Sequence, residues 1–95
     1  MSVRQKDIMA SNAPDPDAPL SDEEFERGRA AVLARKARSA TGLSQPAFAA
    51  RYGVPVASLR DWEQGRRKPD AATRNYLRVI ASMPDAVARA LDGAA

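Results

Sequence analysis

The chain has 95 residues, a net charge of +3, and neither cysteine nor histidine. This length allows one small domain with a modest core. Without cysteine there is no disulfide framework or thiolate metal site, and without histidine the commonest general base is missing, so we expect neither an enzyme nor a cofactor. No apolar run approaches the roughly 20 residues that span a bilayer, which predicts a cytoplasmic protein without a membrane partner.

The charge is distributed unevenly along the chain. Residues 1–26 hold two basic and seven acidic residues, a net charge of −5, whereas residues 27–95 hold 13 basic and five acidic residues, a net charge of +8. A basic domain suits nucleic acid, and an acidic segment suits a basic protein. We therefore expect two partners of opposite charge.

The N-terminal segment shows no helical or strand period. Three prolines alternate there with acidic residues, among them Asp15 and Asp17. Such a composition does not bury enough apolar surface to fold alone. We predict a flexible, disordered acidic leader over residues 1–20 and a folded domain over residues 21–95.

A first helix is predicted to start at Ser21. Glu24 follows three residues later and completes a capping box, while Leu20 and Phe25 have the spacing of a hydrophobic staple. Acidic residues in the first turns and basic residues in the last favour the helix dipole. We expect this helix to end near Ala40.

The apolar positions of this helix form an uneven stripe. We expect the stripe to consist of Phe25, Val32, Leu33, Ala37 and Ala40. Phe25 precedes the others by a full turn or more, and Gly28 lies between. Gly28 therefore gives the helix a place to bend or break, with the first turns docking elsewhere.

Residues 43–69 read LSQPAFAARYGVPVASLRDWEQGRRKP. Ser44 can cap a helix that has Pro46 in its first turn, where a missing backbone donor costs nothing. Gly53 can adopt positive φ and end that helix in a tight turn. A second short helix follows, in which Leu59 and Trp62 share one face.

The opposite face of this second helix is polar and is followed by a basic loop. Its outward and flanking positions are Val56, Ala57, Ser58, Arg60, Asp61 and Gln64. The loop, Arg66, Arg67 and Lys68, suits phosphate oxygens. Two helices, a glycine turn and a basic loop are typical of a helix-turn-helix motif, here over residues 44–64, whose second helix enters the DNA major groove.

Particular DNA contacts follow from this arrangement. Arg60 suits a guanine or a phosphate, and Val56 and Ala57 suit a thymine methyl group. Gln45 lies at a helix N-terminus, where an anion is favoured, although it could serve only as a helix-end residue. The candidate DNA-binding residues are Gln45, Val56, Ala57, Ser58, Arg60, Asp61, Gln64, Arg66, Arg67 and Lys68.

Two carboxylates of the second helix need separate explanations. Asp61 would repel phosphate, so it either accepts a hydrogen bond from a cytosine amino group or orients Arg60 or Arg66, and we favour the second. Glu63 lies nearer the inward side. We predict that it pairs with an arginine such as Arg51.

Two more helices complete the domain. Asp70 can cap a helix over residues 71–82, and Pro84 can open a last short helix. Val87 and Leu91 lie on one side of the last helix, which either caps the core or meets its copy in a dimer. No segment alternates as a strand does, so the predicted class is all-α with five helices.

The motif also resembles a known family. GLSQPAFA at residues 42–49 and GVPVASLRDWEQGRRKP at residues 53–69 are similar to Xre/Cro-type helix-turn-helix proteins, and WEQGRRxP at residues 62–69 is similar to HigA-type antitoxins. The resemblance covers residues 32–91. It implies a compact Xre/Cro-type domain and a repressor, which we expect to bind a palindromic operator as a homodimer.

The resemblance to antitoxins implies a second partner. This partner would be a small basic endoribonuclease toxin of the RelE/HigB-like kind, neutralised by direct binding, and the operator would lie in the shared toxin–antitoxin operon. Charge complementarity assigns the toxin to the acidic leader and the start of the first helix. The candidate toxin-binding residues are Asp15, Asp17, Leu20, Asp22, Glu23, Phe25 and Glu26.

Two other hypotheses remain open at the level of sequence. The first is a stand-alone, phage-like or host repressor without a toxin, in which the leader is only a linker. The second is a protein-interaction adaptor that has lost DNA binding. The acidic Asp61 and the small outward residues favour the adaptor, and the basic loop argues against it.

Overall fold

The computed structural model describes residues 19–93, so most of the predicted leader, including Asp15 and Asp17, lies outside the described residues. The described part consists of five helices and no strand, which confirms the all-α prediction. The helices are α1 (Asp22–Thr41), α2 (Gln45–Tyr52), α3 (Val56–Glu63), α4 (Ala71–Ser82) and α5 (Pro84–Asp92). In this part of the chain, no helix combines the length and apolar character that crossing a membrane requires.

The helix starts follow from local side-chain chemistry. The capping box of α1 is complete, since the Ser21 hydroxyl accepts from the Glu24 amide at 3.1 Å and the Glu24 carboxylate accepts from the Ser21 amide at 2.9 Å. Ser44 caps α2 and Asp70 caps α4 in the same way. These caps confirm the predicted starts, because each depends only on residues within one turn.

A single apolar core lies where the five helices meet. Its buried members are Ala34, Ala37, Phe48, Tyr52, Leu59, Trp62, Leu77, Ile80 and Ala88. The rings of Phe48 and Tyr52 stack with their centroids 4.9 Å apart. Leu59 and Trp62 face inward as predicted, so the core fixes which side of α3 remains in solvent.

Two tyrosines join the helices through their hydroxyl groups. The Tyr52 hydroxyl donates to the Pro84 carbonyl at 3.0 Å, and the Tyr76 hydroxyl donates to the Tyr52 carbonyl at 2.6 Å. Burial, with a smaller contribution from Tyr52, raises the pKa of Tyr76. These bonds hold α2, α4 and α5 together while keeping buried polar atoms paired.

The predicted apolar stripe of α1 is wrong in part. Leu33 and Ala37 do pack on the core, but Phe25, Val32 and Ala40 are exposed. The buried face of α1 is instead made of alanines: Ala30, Ala31, Ala34 and Ala37. Small side chains let α3 and α4 approach closely, so the larger side chains of α1 lie on the outside.

The N-terminal half of α1 also differs from expectation. The helix runs without interruption through Gly28, so it does not break there. Leu20 and Phe25, the predicted staple, remain 64% and 51% exposed. The staple therefore excludes little water, and the capping box is the interaction that fixes the start of the helix.

Candidate nucleic-acid interface

The turn between α2 and α3 sets the angle of the second helix. Gly53 has φ 76°, in the left-handed region that favours glycine, and its amide donates to the Ala49 carbonyl at 2.9 Å. The amide of Val54 donates to the same carbonyl at 3.1 Å. The chain thus reverses within two residues and places α3 across α2.

The solvent side of α3 carries the residues that the sequence assigned to DNA. Ala57, Arg60 and Gln64 are exposed, while Val56, Ser58 and Asp61 are partly exposed. Leu59 and Trp62 are buried on the other side. The predicted orientation of the helix is therefore correct, and the contact of these residues with DNA stays a prediction.

A buried carboxylate locks the motif to α1. Glu63 is 3% exposed and accepts hydrogen bonds from the Arg38 Nε at 2.7 Å, the Arg38 Nη2 at 2.9 Å and the Gln45 Nε2 at 3.1 Å. The Arg38 Nη1 donates to the Leu43 carbonyl at 3.2 Å. This network, which we call the Glu63 network, joins the end of α1, the start of α2 and the end of α3.

Glu63 pairs with an arginine as predicted, but that arginine is Arg38 and not Arg51. Arg51 pairs with Asp92 of α5, at 2.7 Å and 2.9 Å, because the end of α2 packs near α5. Arg38 instead lies one turn beyond Ala34, on the side of α1 that faces α3. The sequence held only a weak sign of this pairing, since Arg38 shares its helix face with small buried residues.

The electrostatics of this network favour the charged pair. Burial alone would raise the pKa of the Glu63 carboxyl, but the hydrogen bonds from Arg38 and Gln45 outweigh it and hold that pKa below its ordinary value. The hydrogen bonds that Arg38 donates to Glu63 raise the pKa of Arg38. Both groups are therefore charged at neutral pH.

Gln45 links the buried network to the outer face of α3. Its Nε2 donates to Glu63, and its Oε1 accepts from the Arg60 Nε at 3.4 Å. Gln45 was predicted as a phosphate contact, and the structure gives it a second role as a positioning residue for Arg60. Sequence reasoning missed this relay because it depends on the crossing of α2 and α3.

The basic loop follows α3 directly and is held in part by Asp61. Arg66, Arg67 and Lys68 are all exposed. The Arg66 Nη1 lies 3.3 Å from the Asp61 Oδ1, and the Arg67 Nη1 lies 3.8 Å from the Asp61 Oδ2. Arg66 also donates to the Gln64 side chain. Asp61 is thus placed to orient the arginines of this loop.

The start of α1 lies beside the basic loop, which the sequence did not predict. Lys68 is 3.4 Å from the Glu23 carboxylate, and the Arg27 Nε donates to the Gly65 carbonyl at 3.1 Å. Glu26 is 3.9 Å from Arg74. The start of α1, which we call the acidic edge, contains the candidate toxin residues within the described part, and Glu23 brings it next to the candidate DNA site. These residues are Leu20, Asp22, Glu23, Phe25 and Glu26.

Comparison with known proteins gives one match. Residues 29–92 match the family model of a helix-turn-helix domain. No curated protein and no solved structure shows significant similarity to the chain. The match covers two thirds of the sequence and all of α2, the turn, α3 and the basic loop. The chain therefore belongs to this helix-turn-helix domain family and is a DNA-binding protein of the helix-turn-helix class.

Proposed function

We propose that this protein is a sequence-specific transcriptional repressor. The observation that carries the proposal is the continuity of one surface: the solvent face of α3 runs directly into three exposed cations, Arg66, Arg67 and Lys68. Base edges specify a sequence, whereas phosphate contacts fix the register of the protein on the duplex. This surface offers both kinds of contact side by side.

Base reading is assigned to α3 in the major groove. Arg60 is the best candidate for a bidentate contact with guanine, worth about 1–3 kcal/mol of discrimination. Val56 and Ala57 offer apolar contact to a thymine methyl group, and Ser58 and Gln64 offer polar contacts. The Gln45 bond supports this assignment because it holds Arg60 near one orientation before DNA arrives.

Phosphate binding is assigned to the two ends of the motif. The basic loop would lie against one strand, and the N-terminus of α2 would meet another phosphate through Gln45 and the positive end of the helix dipole. Asp61 opposes phosphate binding by its charge but reduces the freedom of Arg66 and Arg67. We propose that it sharpens specificity at some cost in affinity.

Two copies of the domain would bind a palindromic operator. In helix-turn-helix dimers the half-sites lie about one helical turn, roughly 34 Å, apart. Two-fold symmetry of the protein then matches two-fold symmetry of the DNA. We expect the repressor to act on its own promoter.

We further propose that the repressor is an antitoxin that neutralises a basic ribonuclease toxin. The resemblance of residues 62–69 to HigA-type antitoxins supports this role. The acidic edge supports it as well, since Asp22, Glu23 and Phe25 are exposed together at the start of α1. Asp15 and Asp17 would extend the same surface.

A stand-alone repressor without a toxin is the second candidate. One observation favours it: Glu23 and Glu26 already lie near Lys68 and Arg74 of the same chain. Their charges would then serve the domain itself. Genomic context separates the candidates, because a short adjacent reading frame for a basic protein favours the antitoxin. Deletion of residues 1–26 then tests whether this segment binds that protein.

The test is binding of the purified protein to a labelled fragment of its own upstream DNA across a salt series. The experiment is done with and without the product of the neighbouring small gene. Tight, salt-steep binding that Arg60→Ala weakens supports the repressor, and a shift caused by the neighbour's product supports the antitoxin. Failure to bind any upstream fragment would refute the repressor.

A further inference from the structure

The outer face of α1 carries a regular stripe of large side chains that the fold leaves exposed. Phe25, Arg29, Val32 and Lys36 are spaced by four, three and four residues, so they share one side of the helix. Phe25 is 51% exposed and Val32 is 66% exposed. We call these four residues the α1 stripe. It faces away from the side of α1 that holds α3.

A groove of about 540 Å³ lies along the stripe, between α1 and α4. Its apolar lining residues are Ala30, Val32 and Leu33. Its basic lining residues are Arg29, Lys36, Arg74 and Arg78, and Glu26 is acidic. The groove therefore suits an apolar side chain that arrives together with negative charge.

The start of α1 has this combination of properties. Asp22, Glu23 and Glu24 form an acidic first turn, and the exposed ring of Phe25 follows them. The chain thus carries both a basic apolar groove and an acidic apolar segment, some ten residues apart on one helix. A surface that is complementary to itself in this way favours a two-fold contact.

We infer that two copies of this chain associate through an antiparallel pair of α1 helices, with Phe25 of each copy seated in the groove beside Val32 of the other. The inference names the dimer surface of the proposed repressor and rests on that function for its purpose. Because it assigns Asp22 and Phe25, two candidate toxin-binding residues, to the second copy, a toxin bound at these residues would compete with the dimer. The association itself requires no DNA, so it is tested separately.

The register of the pair follows from the spacing. A two-fold axis midway between residues 28 and 29 puts Phe25 directly opposite Val32, and it brings Asp22 to within one residue, about 1.5 Å along the helix, of the position opposite Lys36. Along the helix, Asp22 and Lys36 are about 21 Å apart and Phe25 and Val32 about 10 Å apart. The dimer therefore has one Phe25–Val32 pair on each side of the axis and one ion pair at each end.

The residues at the axis are compatible with a close approach. Gly28 has no side chain, and a Cβ atom built there would meet no described atom within 4 Å. The Arg29 guanidinium lies 5.7 Å from the centre of its own Phe25 ring. The two Arg29 side chains come near each other at the axis, and Glu26, which lies 3.9 Å from Arg74 of its own chain, is the nearest acidic residue along the helix.

Sedimentation equilibrium of the full chain and two charge variants tests this register. Asp22→Lys places two lysines at each end of the pair, and Lys36→Asp places two aspartates there. Each variant alone should dissociate at least about tenfold more readily than the natural chain. An equal mixture should dimerise again, because each end of the mixed pair then has one lysine and one aspartate.

Three other results overturn the inference. If both variants dimerise as the natural chain does, the dimer uses another surface. If the mixture stays monomeric while helix content is unchanged, the antiparallel register is wrong. If the natural chain is monomeric at every concentration, α1 does not form a dimer, and the α1 stripe is instead open to contact with the toxin or with residues 1–18. Loss of DNA binding with an intact dimer would refute the proposed function alone.

Discussion

Asp61 and Glu63 lie two residues apart on α3, but they have opposite surroundings. The Glu63 side chain is 4% exposed and is held by Arg38 and Gln45, whereas the Asp61 side chain is 26% exposed and lies beside Arg66 and Arg67. Both are carboxylates paired with arginine. Their positions on the helix, about 200° apart, decide what each pair does.

The difference distinguishes the part of the motif that stabilises the fold from the part that is free to bind DNA. A buried ion pair leaves an uncompensated charge when one partner is removed, so its loss destabilises the fold. An exposed pair is weak in water and exchanges readily with other ions. The arginines near Asp61 can therefore turn to phosphate, while Arg38 cannot leave Glu63 without cost.

Removing Arg38 should disrupt the buried ion pair with Glu63 and give the largest loss of stability. Arg38→Ala leaves Glu63 charged and buried without its main partner, and we expect a loss of about 3 kcal/mol in the free energy of unfolding. Urea denaturation followed by circular dichroism measures it. The matched control is Arg51→Ala, whose partner Asp92 is exposed and returns to water.

Arg51→Ala should change the unfolding midpoint far less than Arg38→Ala. Equal losses for the two variants would show that burial of Glu63 does not distinguish the pairs. Glu63→Ala should also cost less than Arg38→Ala, because Arg38 is partly exposed and can be hydrated once its partner is gone.

Removing the cations of the basic loop should weaken DNA binding without changing the stability of the fold. Arg66→Ala and Lys68→Ala should each weaken DNA binding and reduce the slope of log affinity against log salt by about one. The unfolding midpoint should stay the same, since both side chains are exposed. Arg89→Ala, on the exposed side of α5, is the control that should leave the salt slope unchanged. If Arg66→Ala or Lys68→Ala leaves the salt slope unaltered, the substituted residue does not contact phosphate.

Acid should weaken the buried pair in a defined pH range. The pKa of Glu63 is lowered in the folded protein, so its stabilising contribution is complete above the unfolded value of about 4.3. That contribution is lost as pH falls through the lower, folded pKa. Asp92, held by Arg51, and the capping residues Glu24 and Asp70 also have lowered pKa values and act in the same direction.

Stability measured from pH 6 downward should therefore decline below roughly pH 4.3. The decline should be shallower in Arg38→Ala, which lacks the main hydrogen bonds that lower the pKa of Glu63. An identical pH dependence in the two proteins would contradict the role given to this pair.

Changing Asp61 should give the smallest of these effects, and it should act on DNA binding rather than on the stability that Glu63 supports. Asp61→Asn removes a negative charge beside the basic loop and frees Arg66 and Arg67, so non-specific DNA should bind about twofold more tightly. Discrimination between operator and random DNA should fall. Competition binding with both duplexes measures the ratio, and tighter binding to the operator alone would show that Asp61 does not serve specificity.

The sequence predicts the parts of this fold that depend on neighbouring residues. Ser21, Ser44 and Asp70 identify helix starts because a cap is complete within one turn. The inward face of α3 is equally local, since Leu59 and Trp62 are three residues apart. These signals give the motif and the solvent face of its second helix.

Other features depend on how the helices meet, and the sequence did not predict them. The stripe of α1 was misassigned because large apolar residues such as Phe25 and Val32 were expected inside, while the close helix contacts require alanines. The partner of Glu63 was missed because Arg38 and Arg51 are equivalent until the packing of α1 is known.

The most direct test of DNA recognition by α3 and its basic loop is NMR mapping of backbone amides during titration with operator DNA. The largest shifts should fall in residues 44–47 and 56–68. Amides on the outer face of α1 and in α5 should change little. Shifts confined to α1 and α5, with residues 56–68 unchanged, would contradict the account.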